Sequence, residues 1–247
     1  MKKVILMSAI ALVSFSSFAQ TKATNNAGIT YGVKAGVTFP GMTASKSNND
    51  AVSYAGRGTQ FFGGGVVNVP VSALFTLQPG LSLVGKGFST EETEISGGNT
   101  AVTSNKRTPL YLELPINMIA SFDAGNGKFL VGAGPYVSLA LGGKIKNSLV
   151  VNGVADAFYT DAADRDLRFG TNTDEDVNTG AELKDMKSFD FGLNFLVGYQ
   201  LSNGLSINAG YGLGLLNLDS NAGRESLKNA KPSLKNSVFS VGLGFTF

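Results

Sequence analysis

Short and long connections alternate strictly along this chain, between stretches of period-two sequence. From Leu205 to Leu215 every odd position is apolar (Leu205, Ile207, Ala209, Tyr211, Leu213, Leu215) and every even one is small or polar. That is the period of a strand with two different faces. Phe239, Val241, Leu243, Phe245 and Phe247 repeat it at the C-terminus, and Phe189, Phe191, Leu193, Phe195, Val197 and Tyr199 repeat it upstream. Less regular stretches near 29–39, 59–69, 73–88, 109–122 and 128–142 bring the count to eight strands. At roughly 10–16 residues these are longer than the ~5–6 usual in soluble sheets.

Three connections are very short: around Pro70, at Asp123–Gly127, and at Ser202–Gly204. Four are long and polar: 40–58, 89–108, 143–188 and 217–236. All long loops therefore fall at one rim and all tight turns at the other. The expected fold is all-β, an eight-stranded antiparallel transmembrane β-barrel with short periplasmic turns and long extracellular loops. Both termini are then periplasmic. Phe122, Phe129, Tyr199, Phe245 and Phe247 fall near the short-turn rim, and Phe39 and Phe189 near the other, as two aromatic girdles would. A soluble periplasmic barrel that binds a small apolar ligand is the alternative that the same periodicity allows.

The N-terminus reads as an export signal. Lys2 and Lys3 precede an apolar stretch from Val4 to Phe18, and Ser17-Phe18-Ala19 has the small-x-small pattern of a cleavage site. The expected layout is a signal peptide at 1–19, a short periplasmic segment at 20–28 and the barrel at 29–247. Gln20 follows the cut, so no cysteine is offered for lipid attachment. No later run reaches the ~20 apolar residues of a helical span.

Composition narrows the function. The 20 Lys and Arg against 18 Asp and Glu lose Lys2 and Lys3 with the leader, so the exported chain is neutral. Neutrality excludes the cationic excess that nucleic-acid binding rests on. Cysteine is absent, which excludes disulfides and thiolate metal sites. The 32 glycines, well above the typical ~7%, lie among Val, Leu, Phe and Tyr, where they mark bends and close backbone approach.

Histidine is also absent, so a serine nucleophile lacks its usual base, and no catalytic residue is nominated. Gly63-Gly-Gly65 and Gly132-Ala-Gly134 lack the Gly-Lys-Ser/Thr of a phosphate loop and read as packing room. The long loop carries Asp156, Asp161, Asp164, Asp166, Asp174, Glu175, Asp176, Glu182 and Asp185. Its Asp174-x-Asp176-x-Asn178 with Gly180 has the oxygen spacing of a calcium loop, but the glycine comes one position late and no helices flank it. A solvated acidic loop is the expectation, with no metal and no cofactor. Lys34, Lys86, Glu113, Asn117 and Asp190 lie opposite the apolar faces and are expected to form a polar cluster inside the barrel, where charges must be paired or hydrated. Lys86 and Glu113, on consecutive strands, are expected to pair.

Seven short pieces occur in order: Gly32-Val-Lys-Ala-Gly36, Leu77-Gln-Pro-Gly-Leu81 with Lys86-Gly87, Tyr111-Leu-Glu-Leu-Pro115, Gly132-Ala-Gly-Pro-Tyr136, Phe189-Asp-Phe-Gly192, Tyr211-Gly-Leu-Gly-Leu215, and the terminal Phe247. Together they resemble the PorT-like outer-membrane β-barrel family over nearly the whole exported chain. Gly80 departs from that pattern, since relatives often carry a carboxylate there. The resemblance implies a location in the cell outer membrane, contact with its lipid, and a C-terminal strand whose Phe245 and Phe247 are read by the outer-membrane assembly machinery. It also implies, as an alternative to a structural or interaction barrel with a protein partner at its loops or periplasmic rim, an accessory role in a secretion and gliding apparatus.

Overall fold

The computed structural model describes residues 28–45, 58–155, 164–221 and 233–247. The expected signal peptide, most of the segment 20–28, and Asp156 and Asp161 lie outside them. The strands are β1 (Thr30–Ser45), β2 (Gln60–Pro70), β3 (Phe75–Gly85), β4 (Phe88–Ser96), β5 (Asn99–Ala124), β6 (Gly127–Val151), β7 (Val154–Ala155), β8 (Arg165–Asp166), β9 (Phe189–Leu201), β10 (Leu205–Gly214) and β11 (Ser233–Thr246). Eight of them, β1, β2, β3, β5, β6, β9, β10 and β11, pair antiparallel in a closed ring, sealed by β1 against β11 from Gly32↔Thr246 to Ser45↔Ser233. The chain is an eight-stranded antiparallel barrel.

The period-two sequence becomes two faces. On β5, Tyr111, Glu113, Pro115, Asn117 and Ile119 are buried toward the lumen, while Leu114, Ile116 and Met118 between them are exposed outward. The same outward exposure holds for Val33, Val37, Leu83, Val131, Phe195, Val197, Ile207, Leu243 and Phe245. So much contiguous apolar surface is out of place in water and suits a bilayer. Around the short-turn rim, Phe122 lies opposite Phe129 and Phe129 opposite Tyr199, whose hydroxyl donates to the Ala124 carbonyl at 2.7 Å. Toward the other rim, Phe39 stacks on Phe239 with ring centres 6.2 Å apart.

The tight turns are set by local chemistry. Between β2 and β3, Ser72 Oγ accepts the Leu74 and Phe75 amides at 3.3 and 3.0 Å. Gly125, at φ +58°, and Asn126 close the β5–β6 hairpin. Gly204, at φ +90°, closes β9–β10 against the Thr246 carbonyl, where neither a side chain nor its backbone angle would be tolerated.

The long connections differ from expectation. The 89–108 stretch is a hairpin: β4 pairs with the upper half of β5 from Phe88↔Arg107 to Ser96↔Asn99, turning at Gly97 and Gly98, both at positive φ. Likewise β6 runs on to Val151, β1 to Ser45, and β11 begins at Ser233. Beyond the bilayer both faces of a strand meet water, so the apolar period that marks membrane strands is missing and the sequence looks like loop. The break between β3 and β4 has a covalent cause. Lys86 N donates to the Pro109 carbonyl at 3.1 Å, but Pro109 has no N–H to return.

Candidate functional site

Four consecutive ring strands place Ser82, Glu113, Ser138 and Asp190 in one register row. Lys86 reaches into this row from the β3–β4 break. Its ammonium lies 2.7 Å from Glu113 Oε2 and 3.1 Å from Asp190 Oδ2, and donates to Ser138 Oγ at 3.0 Å. Tyr136 and Tyr111 present their rings to the same nitrogen, at 4.1 and 5.2 Å from their centres. Asp190 Oδ2 also accepts from the Tyr136 hydroxyl at 3.0 Å and Asn236 Nδ2 at 2.9 Å, and Glu113 Oε1 accepts from Asn194 Nδ2 at 3.2 Å. Lys86, Asp190 and Ser138 are almost fully buried. Breaking one partner of so buried a charge set typically costs about 3–5 kcal/mol.

Glycines make the room. A Cβ on Gly192 would stand 2.6 Å from the Tyr136 ring, and Cβ atoms on Gly36 and Gly242 would stand 2.7 and 2.6 Å from that of Phe62. An eight-stranded barrel has space only for side chains, so each large inward ring requires small neighbours.

Lower in the lumen the other two expected residues make no bond to the cage charges. Lys34 Nζ donates to Gln78 Oε1 at 2.6 Å, Gln78 Nε2 to Asn68 Oδ1 at 2.6 Å, and Asn68 Nδ2 to Thr30 Oγ1 at 3.1 Å, a chain running toward the periplasmic rim. Glycine at position 80 leaves β3 no carboxylate beside Lys34, and the Gln78 amide oxygen accepts its hydrogen bond instead. Asn117 shares with Lys34, Lys86 and Glu113 a cavity of about 120 Å³.

Sequence reading missed Tyr111, Tyr136, Ser138, Asn194 and Asn236. Strand parity puts all of them on the inward face, and Gly192 opposite Tyr136 was the signal that a large side chain points there. The cage also joins Ser138 to a lysine, a pair that could in principle run acyl chemistry. Here the same Lys86 nitrogen is shared among Ser138 Oγ, Glu113 and Asp190.

Above the cage the lumen is closed by an apolar cork. Met42, Phe88, Ile145 and Leu234 point inward from the strand tops and meet Leu167, Met186 and Leu218 from the connections, with Phe169 packed alongside. Met186 and Leu218 are fully buried. The 164–188 segment, expected as a solvated acidic loop, is thus partly a lid with its own core. Its polar side is braced: Arg165 grips Asp185 bidentately at 2.6 and 2.7 Å, the Arg168 amide donates to Asp185 at 2.8 Å, and Arg107 Nη1 donates to the Asp185 carbonyl at 3.1 Å. Burial alone would raise the Asp185 carboxyl, but these donors and the charges of Arg165 and Arg107 hold it below the usual carboxylate value. Asn172 exchanges hydrogen bonds with Lys184 and donates to Ser220, tying this lid to the last connection.

Within the lid, the stretch with calcium-loop spacing is a single helical turn, α1 (Asp174–Asn178), capped by Thr173. Asp176 accepts from the Thr173 amide and hydroxyl at 2.7 and 2.8 Å, a capping box that draws its carboxylate away from any convergent oxygen set. Among the described residues no cluster of three or more acidic side chains is arranged to hold a metal ion.

The family described as outer membrane protein beta-barrel domain matches residues 18–220. No curated protein matches the chain. Among solved structures, the attachment invasion locus protein Ail of Yersinia pestis is similar at 10% identity, over 88% of this chain and 98% of that one, with a TM-score of 0.37. The outer membrane protein OprG of Pseudomonas aeruginosa is similar at 14% identity, over 90% and 96%, with a TM-score of 0.38.

Proposed function

Because this chain belongs to the outer membrane protein beta-barrel domain family, we propose that it works as a closed, non-catalytic barrel anchoring an extracellular surface in the outer membrane. Membership sets aside the soluble periplasmic alternative. The observation that carries the reading is the double obstruction of the lumen, by the Lys86 cage and by the Met186–Leu218 cork above it. What remains accessible is the surface beyond the bilayer, chiefly the sheet of β4, β5, β6 and β7, whose tips expose Ile95 and Val154. A protein partner is expected there or at the periplasmic rim. Planar-bilayer recording of the refolded full chain tests closure: the expected result is no steady conductance, and a sustained open level would overturn it. Co-purification from detergent-solubilised outer membrane, with and without residues 91–104, tests where the partner sits.

An accessory role in a PorT-type secretion apparatus is the second reading, favoured by the motif resemblance. Four of the resembling pieces, those holding Lys86, Glu113, Tyr136 and Asp190, converge on the cage, which makes them architectural and gives the fold better support than the role. Deletion of the gene followed by a census of secreted proteins separates the two. Export with cleavage after Ala19 predicts Gln20 as the first residue of the outer-membrane form, read by N-terminal sequencing. Removing Phe247, or replacing Phe245 and Phe247 by serine, is expected to reduce assembly into the membrane.

A further inference from the structure

We propose that Lys106, Lys144 and Lys146 form a binding site for the phosphate of an outer-leaflet lipid, on the outside of the barrel just beyond its apolar band. On β5 the outward column reads Leu110, Leu112, Leu114, Ile116, Met118, Ala120 and Phe122, then ends above Leu110 at Thr108 and Lys106. On β6 the matching column rises from Phe129 to Leu139 and Leu141, then ends at Lys144 and Lys146. Twelve residues separate Leu110 from Phe122, roughly 28 Å of height for a strand tilted by 45°. The apolar column therefore spans the hydrocarbon, and the lysines sit at the level where lipid phosphates lie.

The register supplies a second, independent reason. Lys106 and Lys146 are direct cross-strand partners, and Lys144 is the diagonal neighbour on the same face. Like charges placed opposite each other repel across about 5 Å, and a shared anion converts that repulsion into a clamp. The protein's own anions do this weakly. Lys144 has Asp166 at 3.6 Å and Lys146 has Asp164 at 4.0 Å, both exposed pairs of the kind that contribute little. Lys106 meets no carboxylate among the described residues. A phosphate held between these ammonium groups would let its acyl chains descend over Leu110, Leu139 and Leu141, continuous with the lipid-facing wall. That continuity, together with the charge, selects a lipid over a soluble anion.

The test is a titration of the refolded full chain in neutral detergent, followed by native mass spectrometry. Diphosphoryl lipid A, dephosphorylated lipid A and inorganic phosphate are the three probes, and heat-dependent gel mobility verifies folding. The phosphorylated lipid is expected to bind saturably, with Lys106→Gln/Lys146→Gln weakening it on the order of tenfold. Lys128→Gln, at the opposite rim, is expected to leave binding unchanged, and Asp166→Asn to tighten it. Without lipid, Lys106→Gln is expected to keep or raise the thermal midpoint, because repulsion is relieved. Equal binding of the dephosphorylated lipid, an unchanged double variant, or a lowered midpoint for Lys106→Gln would each overturn the proposal. Displacement by inorganic phosphate at equal concentration would overturn it in favour of a free-anion site.

Discussion

The ammonium of Lys86 contacts Asp190 at 3.1 Å although the two are 104 residues apart and lie three steps apart around the ring, with β5 and β6 between them. The register row through Asp190 meets β3 at Ser82, four residues below Lys86. Strand tilt explains the meeting. At a tilt near 40° and a strand spacing of about 4.8 Å, a register row climbs roughly 3 Å per strand, hence about 9 Å over three. Four residues along a strand so tilted climb about 10 Å. The two heights coincide, and Lys86 arrives level with the far end of the row.

Removing that ammonium leaves two carboxylates buried together. Lys86→Met is expected to lower stability by about 3–5 kcal/mol, and Lys86→Met/Glu113→Gln/Asp190→Asn to recover most of the loss by removing the stranded charges. Urea unfolding of the refolded barrel in detergent measures both. A single variant within 0.5 kcal/mol of the parent would mean that the cage is hydrated and contributes little.

The cork should open separately from the barrel. Met186→Ala removes a fully buried side chain from the lid core, a change that typically costs about 2–5 kcal/mol at the site. The membrane strands do not depend on it. Trypsin cleavage at Arg165 and Arg168 is expected to accelerate at least tenfold, while the heat-resistant mobility of the barrel stays the same. Uniform loss of both would show the lid and the barrel to be one cooperative unit.

The lid brace should fail in acid. Asp185 has its carboxyl held below the ordinary 3.8, so its stabilisation is fully present above that value and is lost as the pH falls through the lower folded value. Amide exchange of residues 165–188 is expected to show constant protection from pH 8 to about 5, after correction for intrinsic rates, and a decline below about pH 4. Asp185→Asn should loosen the lid at neutral pH and flatten that profile. An acid transition of equal size in the variant would assign the effect to another carboxylate.

Two glycines offer a sharp contrast. Gly192→Ala drives its methyl against the Leu213 backbone carbonyl and into the Tyr136 ring and is expected to cost about 1–3 kcal/mol, whereas Gly142→Ala points into open space and should be nearly neutral. Both are read from the same unfolding curves. Equal effects would mean that both the Tyr136 ring and the β10 backbone at Leu213 give way without cost.

Much of the molecule follows from local sequence alone. Alternation of apolar and small residues on β9, β10 and β11 determined which side chains face lipid, because strand side chains alternate whatever the sheet does. The tight turns at Gly125 and Gly204, set against long polar connections, determined an even number of strands and the side on which the termini lie. The same parity put Lys34, Lys86, Glu113, Asn117 and Asp190 on the inward face. It could not say that Lys86 joins Glu113 and Asp190 while Lys34 goes to Gln78, since closure sets the stagger between distant strands and no local signal carries it. Nor did the connections announce the cork. Phe88, Ile145, Leu167, Met186 and Leu218 are scattered through polar sequence with no common period, and only the folded chain gathers them over the lumen. Periodicity is a property of neighbours along a strand; the cage and the cork are made by residues that become neighbours only when the barrel closes.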